Sequence, residues 1–327
     1  SMPQHVLDNT LQNATHAHTS NNGLAVKDAK AGVPFPIPKD GYETMWNHLL
    51  RYSGESILGK FQTFNIDSSG RKVIASEGTM LETYPYYNRK GKSFDFYYMV
   101  NISFSGPARR SGEKVMVKFP INMAEQSSLV WQYLPGQRRV KMAPELLFDT
   151  PNPATNGTTT YDDSFMYNGS MERYNFKLIG KREMLVPYNA YKMTYQVKSD
   201  ELFQPKHANP DHVRWELHRV WVVEGTLKSG QRHIYSKRVY YIDEDSWAAL
   251  ASDEYDMRGN LYRVQLASLS QSYDAQAVLS NPAISYDLIA GCYSYTGFFG
   301  DNGYVKYVPN VSDKDWNPEG LAGSGIR

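Results

Sequence analysis

The chain of 327 residues exceeds the usual span of one domain, so it forms either one large β domain or two smaller ones. Its 35 lysines and arginines against 34 acidic residues leave a net charge of +1, without the basic excess of a nucleic-acid or anionic-membrane binder, and no apolar run approaches the ~20 residues that span a bilayer. A single cysteine, Cys292, excludes an internal disulfide and every multi-cysteine zinc or iron–sulfur site, and no cofactor or metal is expected.

The aromatic content is the informative number. Tyr 25, Phe 13 and Trp 6 make 13% of the chain. Aromatic side chains favour strands, and tyrosine suits a surface that is apolar along the ring and wet at its tip, so a β-rich protein with a wide half-buried face is expected.

In chain order, Ser1-Met2 reads as a cloning scar and nothing after it has the charged start and apolar middle of a signal peptide, so an export signal is expected to have been cut away. Residues 1–32 form a polar arm, and the alternating prolines from Val33 to Pro38 force an extended path into the fold. Asp40 can cap a helix, with Glu43 closing a capping box; Tyr42, Met45, Trp46, Leu49 and Leu50 then recur at helical spacing to about Tyr52, before Gly54. From about Leu58 to Ser270 the period becomes two. Phe94, Phe96, Tyr98, Val100, Ile102 and Phe104 share one strand face; Val213, Trp215, Leu217, Trp221 and Val223 repeat the pattern, interrupted by Arg219. Turn signals at 67–70, 88–91, 111–112, 135–136, 229–230 and 258–260 join these strands by short connections, which makes an antiparallel meander. Two long loops, 144–169 and 199–211, interrupt it and invite a functional or mobile role. A sheet domain over 33–310 and a flexible tail over 311–327 complete the expected organisation.

Catalytic signatures are weak. Gly91-Lys92-Ser93 resembles the end of a phosphate loop, but Tyr86 stands where that motif needs glycine, and a hairpin turn is the simpler reading. No serine sits in a Gly-x-Ser-x-Gly elbow. His212 and His218 share a strand without a carboxylate that completes a metal pattern, and Asp162-Asp163, Asp243-Glu244-Asp245 and Asp253-Glu254 read as solvated turns before they read as a glycosidase pair. Arg138 and Arg139 follow the aromatic strand Trp131-Gln132-Tyr133-Leu134 across a Pro135-Gly136 turn. They form either a solvated pair or an anion contact at a pocket mouth, and strand alternation lets at most one point inward.

The hairpin Trp131 to Pro144 (WQYLPGQRRVKMAP), the segment Phe148 to Pro151 and the segment Phe165 to Ser170 together resemble the Gram-negative family called domain of unknown function 1329. Ile37-Pro38 to Arg51, with Trp46 to Arg51 within it, resembles that family's entry helix, and Trp215 to Trp221, Arg232 to Arg238 and Asp243 to Trp247 resemble its later hairpins, so the likeness spans roughly 33–265. A shorter pattern, Trp131, Tyr133, Pro135 and Val140 followed by Asp162-Asp163-Ser164-Phe165, is similar to that of periplasmic carriers that sort lipoproteins to the outer membrane.

The resemblance implies a strongly curved antiparallel sheet, an unclosed half-barrel plugged by helices around an apolar cavity. It further implies a periplasmic location, a lipid or other hydrophobic ligand, and outer-membrane proteins or a resistance–nodulation–division type exporter as partners. A non-enzymatic carrier is the expectation; a periplasmic enzyme using the acidic loops and an outer-membrane assembly factor gripping a protein segment are the alternatives. The residues expected to line the cavity are Phe94, Phe96, Tyr98, Trp131, Tyr133, Leu134, Trp215, Leu217 and Trp221, with Arg138 or Arg139 as the anion contact.

Overall fold

The computed structural model describes residues 2–87, 95–280, 282–301, 305–308, 311 and 313–323. The turn at 88–91, the Gly91-Lys92-Ser93 triplet and Phe94 fall outside them.

Among the described residues, fourteen strands form one antiparallel sheet. In chain order they are β1 (Ser56–Ile66), β2 (Lys72–Thr83), β3 (Phe96–Gly106), β4 (Lys114–Pro120), β5 (Leu129–Leu134), β6 (Arg139–Met142), β7 (Tyr174–Pro187), β8 (Trp215–Leu227), β9 (Lys237–Asp243), β10 (Ala249–Tyr255), β11 (Leu261–Ala267), β12 (Ala283–Asp287), β13 (Cys292–Phe298) and β14 (Lys306–Tyr307). Their spatial order is β6-β5-β4-β3-β2-β1-β13-β12-β11-β10-β9-β8-β7, with β14 also on β1. The chain therefore starts at the centre, steps outward to the β6 edge, jumps to the β7 edge and steps back to the centre. The two edges do not pair, so the sheet is an open trough, as the meander and the resemblance lead one to expect.

Two helices precede the sheet. The first, α1 (Gln4–His16), lies within the stretch expected as a polar arm. Its sequence is asparagine-rich and a poor helix former, and tertiary bonds hold it: buried Asn13 donates to the Lys30 and Val33 carbonyls at 2.9 and 3.1 Å and accepts from the Lys30 amide at 2.7 Å. The second, α2 (Gly41–Leu49), starts where Asp40 accepts from the Glu43 amide at 2.9 Å, while the Glu43 carboxylate accepts from the Lys39 amide at 2.7 Å. It lies on β7 and β8. Gly41 permits this approach, because a Cβ there would stand 2.5 Å from the Phe176 carbonyl carbon. No helix among the described residues is long and apolar enough to cross a membrane.

The outer face is covered in two places. Leu202, Phe203 and Met193, from the long connection between β7 and β8, pack on Phe64, Tyr293, Tyr295 and Phe298. At the other end, Trp316 and Leu321 pack on Met116 and Tyr133, and the Lys114 ammonium donates to the Leu321 carbonyl at 3.1 Å. The segment 313–323, expected as a flexible tail, is thus seated on the sheet.

The long loop after β6 joins the two unpaired edges, so it has to cross the mouth of the trough. It is pinned along its length. Asn65 donates to the Thr155 carbonyl at 2.7 Å, Thr158 to Ser294 at 2.7 Å, and Tyr97 to the Asn168 side chain at 2.8 Å. The strongest anchor is charged: Arg238 on β9 donates to Asp162 Oδ2 at 3.1 Å and to Asp163 Oδ1 at 2.6 Å, all three side chains being buried. His233 and Tyr235 donate to the same carboxylates at 3.1 and 2.9 Å, and Asp163 also accepts from the Thr160 amide. Burial opposes the charge on Asp162, yet Arg238 and His233 hold its carboxyl well below the usual range. A buried pair of this kind is costly to break from one side, because the partner's charge is left uncompensated.

His48 of α2 locks helix, loop and sheet together. Its Nδ1 accepts from the Ala249 amide at 3.0 Å, so Nε2 carries the proton and donates to the Tyr167 carbonyl at 3.0 Å. Burial, then the adjacent Arg51 charge, lowers its pKa to about 3.

Two outcomes follow. Arg238→Met should destabilise the fold by about 3–5 kcal/mol in urea unfolding, and adding Asp162→Asn with Asp163→Asn should recover part of that loss; a single-variant loss under 1 kcal/mol would contradict the anchor. For His48 the folded pKa lies below the unfolded value, so its stabilisation is complete above pH 6.5 and is lost as pH falls toward 3. That loss is on the order of 3–5 kcal/mol. The melting temperature of the wild type should therefore drop more steeply over this range than that of His48→Gln, which keeps a donor and an acceptor; parallel curves would refute it.

Candidate functional site

The inward side chains of β3 and β4 follow from strict alternation. Tyr98, Val100, Ile102 and Phe104 on β3 and Val115, Val117 and Phe119 on β4 point into the trough, while Lys114, Met116 and Lys118 point out of it. Phe61 of β1 and Met80 of β2 extend the same apolar floor. The crossing loop forms the roof with Leu146, Leu147, Phe148 and Phe165. Floor and roof do not meet everywhere, and a cavity of about 250 Å³ remains between them. At the end nearer the centre of the sheet its wall turns polar, with Asp162, Asp163, Gln265 and Ser285.

Several ionisable groups in and beside this cavity are engaged. Glu82 accepts from the Tyr84 hydroxyl at 3.0 Å, and Arg51, which lies 4.8 Å from the centre of the Phe165 ring, donates to the His48 carbonyl. Burial and then the Glu82 charge hold the Tyr98 hydroxyl far above its usual pKa. Behind the polar wall, burial and then the Asp163 charge push Glu254 up to about 8. Tyr161, in the loop, is pushed up to about 12 by burial, with nearby Arg110 acting against that shift. Of the carboxylates in the lining, Glu82, Asp162 and Asp163 are thus each hydrogen-bonded within the protein.

Of the residues expected at the site, Tyr98 lines the cavity. Phe94 lies outside the described residues. Phe96 is turned outward by an irregularity between Phe96 and Tyr98, which brings Tyr97 inside against Trp46 and leaves Phe96 beside Lys118. Trp131 and Tyr133 share a face as alternation requires, but it is the outer one: Trp131 pairs with Met116 and Tyr133 with Lys114, and the C-terminal segment covers them. Leu134 is half-buried and does not reach the cavity. Trp215 and Leu217 are exposed on the β7–β8 ribbon, where β8 has not yet met β9, and Trp221 stacks on Trp247 beneath Lys181. Arg138 and Arg139 are both exposed in the turn, and neither lines the cavity.

What the sequence reading passed over is β4. The run Lys114-Val-Met-Val-Lys-Phe-Pro already marks its outward face by two lysines, and Val115, Val117 and Phe119 stand between them. Among the described residues one metal-like group occurs, His218, Asp243 and Asp245, with one donor atom from each within 4.8 Å of the others. None of the three lines the cavity, and Asp243 is engaged by His218 at 3.0 Å and by the Ser246 amide and hydroxyl at 2.9 and 2.6 Å.

The architecture has solved counterparts. A Vibrio parahaemolyticus domain provisionally named for outer-membrane lipoprotein sorting superposes with a TM-score of 0.59 at 14% identity, covering 86% of this chain and 98% of that one. A DUF1329 family protein from Desulfovibrio piger gives 0.55 at 16% identity over 82% and 92%, and a LolA superfamily protein from Nitrosomonas europaea gives 0.50 at 11% identity over 86% and 98%. These likenesses establish the fold. In sequence, the uncharacterized protein PA3922 of Pseudomonas aeruginosa is 36% identical across all of this chain and 73% of its own length. The profile of the family described as "Protein of unknown function (DUF1329)" matches residues 1–322, and the chain belongs to that family.

Proposed function

We propose that this protein is a periplasmic carrier that holds a lipid chain or a comparable hydrophobic molecule between the β1–β4 floor and the crossing loop, in the service of the outer membrane. One observation carries the reading: a cavity lined by Tyr98, Val100, Ile102, Phe104, Val117 and Phe119 lies under a roof that is itself tied down by buried charge. A chain moved through water exposes ~0.8 kcal/mol for each methylene, so a carrier needs a dry trough and no bond-breaking group. The engagement of Asp162 and Asp163 by Arg238 supports binding over catalysis, since a carboxylate pair committed to an ion pair is a poor acid or base. The lipoprotein-sorting name of one structural neighbour and the carrier superfamily of another point the same way. Delivery to outer-membrane proteins or to a resistance–nodulation–division type exporter belongs to the same proposal.

Filling the cavity tests it. Ile102 is half-buried and faces the open space, so Ile102→Trp should take up the room a ligand needs at a cost in stability of less than about 3 kcal/mol. Binding of a fluorescent fatty acid should fall at least tenfold while the melting temperature stays near that of the wild type. Undiminished binding by a well-folded Ile102→Trp would place the ligand elsewhere.

A further inference from the structure

The trough ends at the turn between β3 and β4, and that end carries a cation. Arg110 closes the short 3-10 turn Ala108–Arg110, where its amide donates to the Pro107 carbonyl at 2.8 Å. Its neighbour Arg109 points away and donates to the exposed Asn156 side chain at 3.0 Å. The Arg110 side chain instead folds onto the cavity wall and is only 8% exposed. Its guanidinium lies 3.7 Å from the centre of the Phe104 ring, so one face is occupied by an aromatic that also lines the cavity.

The edges of the guanidinium are unequal. Nε donates to Glu113 Oε2 at 3.0 Å, and Glu113 Oε1 accepts from the Gln132 amide at 2.9 Å, so each oxygen of that carboxylate is engaged. Arg110 Nη1 is buried and has no hydrogen-bond partner among the described residues. Tyr161 and Ser128 line the same cavity, and Tyr161 is the titratable group of the roof that feels the Arg110 and Glu113 charges. A buried cationic donor without an acceptor is unfavourable, and a planar guanidinium bound on one edge keeps its fork for a second acceptor.

Building on the carrier reading, we propose that Arg110 recognises the anionic headgroup of the ligand, a carboxylate or phosphate, while the apolar floor takes the chain. The cargo is then an anionic amphiphile with its head at the β3–β4 turn. Glu113 is a positioning residue that holds the guanidinium over Phe104 and tempers its charge.

The test compares two probes with the same chain, cis-parinaric acid and its methyl ester, titrated at pH 8 into the full chain and followed by probe fluorescence. The decisive quantity is the ratio of the two affinities. Arg110→Gln should lower acid affinity about tenfold and leave ester affinity within twofold. Glu113→Gln, which removes the competing carboxylate, should raise acid affinity and spare the ester. The double variant Arg110→Gln with Glu113→Gln keeps a neutral side-chain bridge; it should melt close to the wild type and show the same selective loss, which separates recognition from misfolding. If the double variant leaves the ratio unchanged, Nη1 is satisfied by water and the headgroup proposal falls while the carrier reading stands. If the wild type binds neither probe, the carrier reading falls and takes this proposal with it.

Discussion

A chain that begins at the centre of an open sheet and builds outward in both directions must bring its two edges into one covalent path. Here the path is the loop after β6, and the constraint that it cross the trough governs the rest of the structure. A backbone stretched over a concave apolar face would ordinarily strand its polar groups, yet the carbonyls of this one meet Asn65, Ser76, Arg263, Arg238 and His48 at intervals. The Asp162–Asp163 pair draws the loop down at one point. Over β3 and β4 floor and roof do not meet everywhere, and space remains.

Four stretches of the sheet are therefore covered by four different devices. α2 fills the trough over β7 and β8. The loop covers the trough over β1–β4 without filling it. On the outside, the connection between β7 and β8 shields the central strands and the C-terminal segment shields the first meander. The cavity is thus a property of how the loop is fastened, since the sheet alone would leave an open groove and a second helix would leave none.

Alternation made much of this legible. Tyr98 through Phe104 declare a two-sided strand, and Asp40 with Glu43 declares the start of α2. What alternation cannot do is name the side. Trp131 and Tyr133 are large aromatic side chains, and their outward direction depends on Met116 opposite Trp131 and on Trp316, almost two hundred residues later, coming to cover them. Phe96 was hidden by a local irregularity that shifts the phase within one strand. α1 was hidden because its asparagines favour a helix only through bonds to a distant backbone. The two neighbouring arginines Arg109 and Arg110 look equivalent on paper, and a single step around a 3-10 turn sends one to solvent and one to the wall of the cavity.

The pairing of β1 with β13 has a temporal meaning as well as a spatial one. Ile66 finds its partner in Tyr293, and Arg238 must be present before Asp162 and Asp163 have anything to hold. The first six strands therefore emerge as a half-trough whose central edge lacks its neighbour and whose roof lacks its fastening. Contacts of such long sequence separation form late and slowly. Until the last strands are in place, the apolar floor is open to whatever is near, so the interval between making the floor and fastening the roof is the time in which a nascent chain of this topology is most in need of shelter.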